Sequence, residues 1–198
     1  MQRVLPLGAG LQAYRELEDP ADVAGALDCP FCPDRHPLRR HGWYPRWAYL
    51  PQPGPRVVEH RLRVRRLLCP HTRRTVSLLP DFCLPRRQYG PEALGRLLHL
   101  YAFVRHALLR AFRALRPQAS GHSVAQHLVR GFLRRRPQLS AYAGGLSPRV
   151  APPPPGLDRP RLEVATLLLP LLGGHADAAC ALRGHGAPFH ARFALGLA

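Results

Sequence analysis

The chain contains no lysine, so all 29 of its cationic side chains are arginine, set against only 12 acids for a formal charge of +17. Guanidinium groups fork onto phosphate or a guanine edge, where an ammonium acts as a point charge. Long apolar runs are also lacking. The stretch Val164 to Leu172 is broken by Thr166 and Pro170 and falls short of the ~20 residues that span a bilayer, so no membrane span is expected. Met1 to Asp19 has no continuous apolar segment and soon turns acidic, so no secretory signal is expected and a cytoplasmic location is. Cysteine is scarce and odd in number, five in 198 residues, which argues against a disulfide framework and for a reducing compartment. Acids are rarest where metal-dependent nucleases need them. After Glu92 only Asp158, Glu163 and Asp177 follow, in sequence too short and proline-broken for a ribonuclease-H-like sheet, and no catalytic residue is expected.

What is present is sorted along the chain. Arg35 to Arg136 holds 22 arginines against Glu59, Asp81 and Glu92, whereas the two flanks hold seven arginines and nine acids. Codon bias toward Arg, Ala, Gly and Pro would explain some of the 23 prolines and 17 glycines, but it would not sort charge in this way. A block this basic attracts polyanions and binds them by releasing counterions. An apolar fraction of 46% excludes a wholly disordered chain.

Four segments are expected. Residues 1–28 read as a helical lead-in, with Leu11, Tyr14 and Leu17 at helical spacing and a break at Pro20. Residues 29–89 read as strands and turns, with Gln52 to Pro55 a turn between two extended runs. The second run alternates: Val58, His60, Leu62 and Val64 share one face, and Glu59, Arg61, Arg63 and Arg65 the other. Residues 90–146 form a basic helical segment. An amphipathic helix of some 25 residues is expected from Pro91 to Pro117, with the stripe Leu94, Leu97, Leu98, Tyr101, Leu108, Phe112 and Leu115. A second helix runs from Ser123, with Ser120 or Ser123 as cap, through Arg134, Arg135 and Arg136, and Pro137 closes it. Residues 147–198 are expected as a proline-rich linker and flexible tail, with a short apolar helix between Arg161 and Gly173.

Cys29-Pro-Phe-Cys32 has the spacing of a knuckle in which two thiolates grip one tetrahedral ion. A redox dithiol at this spacing needs a thioredoxin-like strand and helix, which is missing. After 36 intervening residues, enough for a hairpin, comes Cys69-Pro-His71. The order knuckle, hairpin, knuckle, strand is that of a zinc ribbon. The expected cofactor is Zn2+, held by Cys29, Cys32, Cys69 and a fourth ligand. Thr72 stands where a regular second knuckle has cysteine; His71 is the preferred fourth ligand, and Cys83, His36 and His41 are the other candidates. The alternative is a ribbon without tight metal binding, held by packing of Trp43, Trp47, Leu62 and Phe82.

Cys29 to Cys32, His41-Gly-Trp-Tyr-Pro-Arg46, the basic strand into Cys69, Arg74 to Phe82 and Leu84-Pro-Arg-Arg-Gln-Tyr89 together resemble the zinc-ribbon domain of unknown function found in bacterial transposase-like proteins. The resemblance covers roughly residues 20–135. It implies a DNA-recognising ribbon followed by a helix-turn-helix-like segment. The fold class is therefore expected to be α+β: a small zinc-ribbon-like β unit, a basic helical segment that is either helix-turn-helix-like or a two-helix clamp, and the tail.

DNA is the leading expected partner, bound without catalysis. Arg39, Arg40, Arg46, Arg61, Arg63, Arg65, Arg73 and Arg74, with Arg134, Arg135 and Arg136, are the expected contacts to phosphates or base edges. Trp43, Tyr44 and Trp47 either stack on unpaired bases or fill the ribbon core. RNA or single strands, or an acidic protein, are the alternative partners. A further alternative is a protein-interaction module whose Leu94 to Leu115 stripe is a homodimer or partner seam.

Overall fold

The computed structural model describes residues 1–7, 10–24, 27–51, 56–119, 121–146 and 152–173, with 181–182, 184–185 and 188–189. Among these the chain is α+β. Its elements are β1 (Gln2–Leu5), α1 (Leu11–Glu16), α2 (Pro20–Ala24), β2 (Arg39–Pro51), β3 (Val57–Leu68), β4 (Thr75–Pro80), α3 (Pro91–Ala102), α4 (Leu108–Leu115), α5 (Ser123–Arg134), α6 (Arg136–Gly144) and α7 (Arg159–Leu172). No helix among the described residues is long and apolar enough to cross a membrane.

The strands form one sheet in the order β1-β4-β3-β2. β2 and β3 make a long antiparallel hairpin, in register from Arg39 opposite Leu68 to Pro51 opposite Val57, with an irregularity between Arg40 and Gly42. The turn expected at Gln52 to Pro55 lies outside the described residues. β4 pairs only with the last four residues of β3. Its other edge is taken by β1 in parallel, from Gln2 opposite Ser77 to Leu5 opposite Pro80, and the Met1 ammonium donates to the Thr75 carbonyl at 2.9 Å. The lead-in is thus a strand before it is helical. Buried backbone groups need partners, and β4 is buried along most of its length, so its open edge recruits the start of the chain.

The alternation read in β3 holds through Arg61, Leu62, Arg63 and Val64, but Val58 is exposed and Val57 buried. Leu62 and Val64, on the hairpin's inner side, pack with Ala48, Leu50, Leu79, Phe82, Cys83 and Tyr14 of α1. The Tyr14 hydroxyl donates to the Arg63 carbonyl at 2.7 Å, fastening α1 to β3.

The expected 25-residue helix is two helices. The chain breaks after Ala102, passes through Arg105 at φ +58°, and restarts at Leu108. A straight helix of that length would run about 37 Å; broken, α4 packs back on α3 and both halves of the stripe are buried. Carbonyls at the break are satisfied from far along the chain. Arg161 donates to the carbonyls of Tyr101 at 3.1 Å and His106 at 3.4 Å, while Arg105 donates to the Pro155 carbonyl.

Two prolines begin helices they were expected to end or precede. Pro137 sits in the first turn of α6, so a further helix follows α5, and Pro160 sits in the first turn of α7. Their missing N–H groups fall where a helix has no internal acceptor for them. Ser123 is the first helical residue of α5 rather than its cap, which is His122, and Ser120 lies outside the described residues. The short apolar helix expected between Arg161 and Gly173 is α7, Arg159–Leu172, and it is packed into the core. Asp158 caps α7 by accepting from the Arg161 N–H at 3.0 Å, and Val164, Ala165, Leu167, Leu168 and Leu171 are buried. Parts of the expected linker (147–151) and most of the chain after Gly173 lie outside the described residues.

The Leu94 to Leu115 stripe is consequently no docking seam. Leu94, Leu97, Leu98, Phe112 and Leu115 are at most 1% exposed and pack in the same core as α5, α6 and α7. That core meets the sheet through Tyr49, Val57, Leu84 and Tyr89. The junction is tight at Gly90, where an added Cβ would lie 2.3 Å from the Phe82 carbonyl oxygen. Gly90→Ala is expected to cost about 2 kcal/mol through backbone displacement, read as a fall in Tm of roughly 4–8 °C in a thermal melt.

Candidate metal centre and arginine face

The segment before β2 closes on itself. Asp28 bridges Pro37, the Cys29 N–H donates to the His36 carbonyl at 3.0 Å, and the Leu38 N–H to the Leu27 carbonyl at 3.3 Å. This brings Cys29, Cys32 and His36 to one side of the loop. Cys69, at the end of β3, meets them. The four ligand atoms all lie within 4.8 Å of one another, close enough to bind a metal ion. Cys29 and Cys69 are buried, and Cys32 and His36 half-buried.

The expected Cys29, Cys32 and Cys69 are therefore together, but the fourth member is His36 and not His71. His71 is exposed and its ring packs on that of His36, with centroids 4.6 Å apart. His36 holds its place because its Nδ1 faces the Pro37 carbonyl at 3.1 Å. A carbonyl only accepts, so Nδ1 carries the proton and Nε2, 3.7 Å from the Cys69 sulfur, presents its lone pair. Thr72 keeps the function a second knuckle needs from its backbone, donating its N–H to the Cys69 sulfur at 3.3 Å, as Phe31 does to Cys29 at 3.4 Å. Burial opposes ionisation of Cys69, but hydrogen bonds from Thr72, Cys29 and Cys32 outweigh it and bring the thiol down to about 5. Cys32 is pushed up to about 12, first by burial and then by sharing its proton with Cys69 and Cys29. Cys83 is a core residue under the hairpin, and burial pushes its thiol up to about 12. His41 is exposed at the irregularity of β2. The spacing Cys-x2-Cys-x3-His was the sequence signal for His36; the loop closure that brings it into the cluster was not visible.

The expected arginines divide into three groups. Arg61 and Arg63 are exposed on the outer face of the hairpin, where register sets Arg61 beside Trp47, Arg63 beside Pro45 and Arg65 beside Trp43. Arg63 lies over the Trp43 ring at 4.9 Å and Arg61 over Trp47 at 6.0 Å. Trp47 is 48% exposed, so it is surface rather than ribbon core, while Tyr44 faces inward and packs against the inner core. Arg39 and Arg73 are also exposed, and Arg74 lies over Phe31 at 4.6 Å.

Three others hold the fold. Arg65, with a side chain 11% exposed, is paired to Asp19 at 2.9 Å, and Arg40 reaches Asp19 at 3.4 Å and also pairs with Asp22. Arg46 donates to the carbonyls of Leu84 and Arg87. Arg134, Arg135 and Arg136 lie at the α5–α6 junction, Arg135 half-buried. Burial, then the charges of Arg135 and Arg134, lower the pKa of Arg87, which bonds to His127.

Compared with family models, with curated proteins and with solved structures, the chain gives no match.

Proposed function

We propose that the chain is a non-catalytic DNA-binding protein in which a structural zinc ion stiffens a long hairpin whose outer face carries arginine over tryptophan. The reading of the metal is supported by spacing and chemistry. Around a tetrahedral zinc, sulfurs sit about 3.8 Å apart and sulfur to imidazole nitrogen about 3.6 Å. The Cys32–Cys69 and Cys69–His36 separations are 3.6 and 3.7 Å. Three thiolates and an imidazole are a soft donor set suited to zinc, and four protein ligands leave no open position for substrate. Bound zinc would supply cross-linking of the loop before β2 to the turn after β3.

The observation that carries the functional reading is the outer face of the hairpin, where Arg61 and Arg63 are exposed and ordered on Trp47 and Trp43. A twisted two-stranded ribbon fits a major groove, and pre-ordered guanidinium groups lose less freedom on meeting phosphate. The same reading places the chain beside the ribbon domains of transposase-like proteins, without a nuclease. Arg61→Ala/Arg63→Ala is expected to weaken duplex binding about 10- to 100-fold and to flatten the slope of log affinity against log salt by about 2. Fluorescence anisotropy across a salt series checks this, and an unchanged slope would overturn it. A second reading, binding of single strands, is favoured by the exposure of Trp47, which offers a stacking surface to an unpaired base.

A further inference from the structure

Beside the outer face of the hairpin, the segment from α1 to the start of α2 stands off β3 and leaves a cleft of about 240 Å³. Leu17 and the nearly fully buried Leu62 line its apolar side, and the Trp43 indole, over which the Arg63 and Arg65 guanidinium groups lie at 4.9 Å, lines another. Arg61 and Arg63 line it from β3 and Arg15 from α1, while a single carboxylate, Glu18, also lines it. Arg15, Glu18, Arg61 and Arg63 are exposed. The Tyr14 hydroxyl is committed to the Arg63 carbonyl, so the back of the cleft is anchored to the strand.

Three features select the occupant. The volume falls below the 300–1,000 Å³ usual for drug-sized ligands, so it takes one ring system. The apolar side suits the face of a planar heterocycle, and the guanidinium groups already seated on the Trp43 ring extend the platform on which such a ring stacks. Three guanidinium groups against one carboxylate favour a group carrying phosphate, and the lone carboxylate accepts from an exocyclic amine. A paired base keeps its edges in the duplex, and extracting it costs a few kcal/mol. An unpaired one is free to enter.

We propose that this cleft holds one base of a single DNA strand lying on the arginine face, with Arg61 and Arg63 on its flanking phosphates and Glu18 on its amino edge. The inference rests on the second reading above, binding of single strands, and deepens it with a cleft for one unpaired base, amino-bearing bases preferred over thymine.

The test uses the full chain and three twelve-nucleotide strands of equal phosphate count: oligodeoxycytidine, oligothymidine and an abasic strand. Wild type is expected to bind oligodeoxycytidine about tenfold more tightly than the abasic strand, as stacking plus one edge hydrogen bond would give. Leu17→Trp, which fills the cleft, should remove that difference and leave abasic binding unchanged. Glu18→Gln, an exposed substitution that does not depend on repacking, should reduce the cytosine preference. Arg61→Ala/Arg63→Ala should weaken all three strands. Equal binding of base-bearing and abasic strands by wild type, or a base preference that survives both Leu17→Trp and Glu18→Gln, overturns the cleft assignment while DNA binding stands. No binding of any strand or duplex at low salt overturns the nucleic-acid reading itself, and this inference with it.

Discussion

A Cys69→Ser chain is expected to lose its bound metal and, with it, most of its resistance to heat. Cys69 is fully buried at the end of β3, and its sulfur faces Cys32 at 3.6 Å and His36 at 3.7 Å. It is the member of the cluster that comes from the far end of the hairpin, so as a zinc ligand it would join that end to the loop before β2, across 37 residues of sequence. Structural zinc contributes folding free energy of order 10 kcal/mol, against a total stability of about 5–15 kcal/mol for a typical domain. The remaining small core of Leu5, Leu27, Leu67, Val76 and Leu78 next to the site is too limited to compensate. Elemental analysis should give one zinc per wild-type chain and close to none for Cys69→Ser, with Tm lowered by tens of degrees. His36→Ala should move in the same direction and His71→Ala should retain its zinc. A wild-type chain without bound metal, or equal stability with and without chelator, would sink the assignment.

The second large effect is expected at Asp19, which nothing in the sequence sets apart from the other 11 acids. It is buried, caps α2 by accepting from the Ala21 N–H at 2.9 Å, and pairs with Arg65 at 2.9 Å and Arg40 at 3.4 Å. Asp19→Ala leaves the Arg65 guanidinium mostly enclosed without its counter-charge, which should cost about 3–5 kcal/mol. Combining Asp19→Leu with Arg65→Met should recover much of that loss, because an apolar pair needs no desolvation of charge. Denaturant unfolding of the single and paired variants checks both statements. If Asp19→Ala is neutral, the pair is solvated and Arg65 returns to the exposed set. The consequence for binding is that Arg65→Met should change stability without flattening the salt dependence of DNA affinity.

Several elements were legible because they depend on local pattern. Alternation marked β3, the change to helical period marked the start of α3, and the Cys-x2-Cys spacing with a distant Cys69 marked three of the four clustered residues. The misreadings have a common cause. β1 is four residues long and exists because β4 has an edge to fill, which periodicity cannot register. The helix from Pro91 breaks where a later residue, Arg161, donates to the carbonyls of Tyr101 and His106, a partner that local periodicity cannot register. Pro137 and Pro160 look the same in sequence whether a helix stops at them or starts.

Charge shows the division most plainly. Composition determined that the chain is a polycation built on guanidinium with enough apolar residues for a core, and residue order added a metal-type cysteine spacing. Sequence order determined that its basic residues cluster between 35 and 136. Which of those arginines face outward was decided only in three dimensions. Arg61, Arg63 and Arg65 alternate identically along one strand, yet α2 brings Asp19 against the last and leaves the first two open. A strand's pattern specifies the face a side chain takes; what covers that face is set by segments distant in the chain, through packing that no local period encodes.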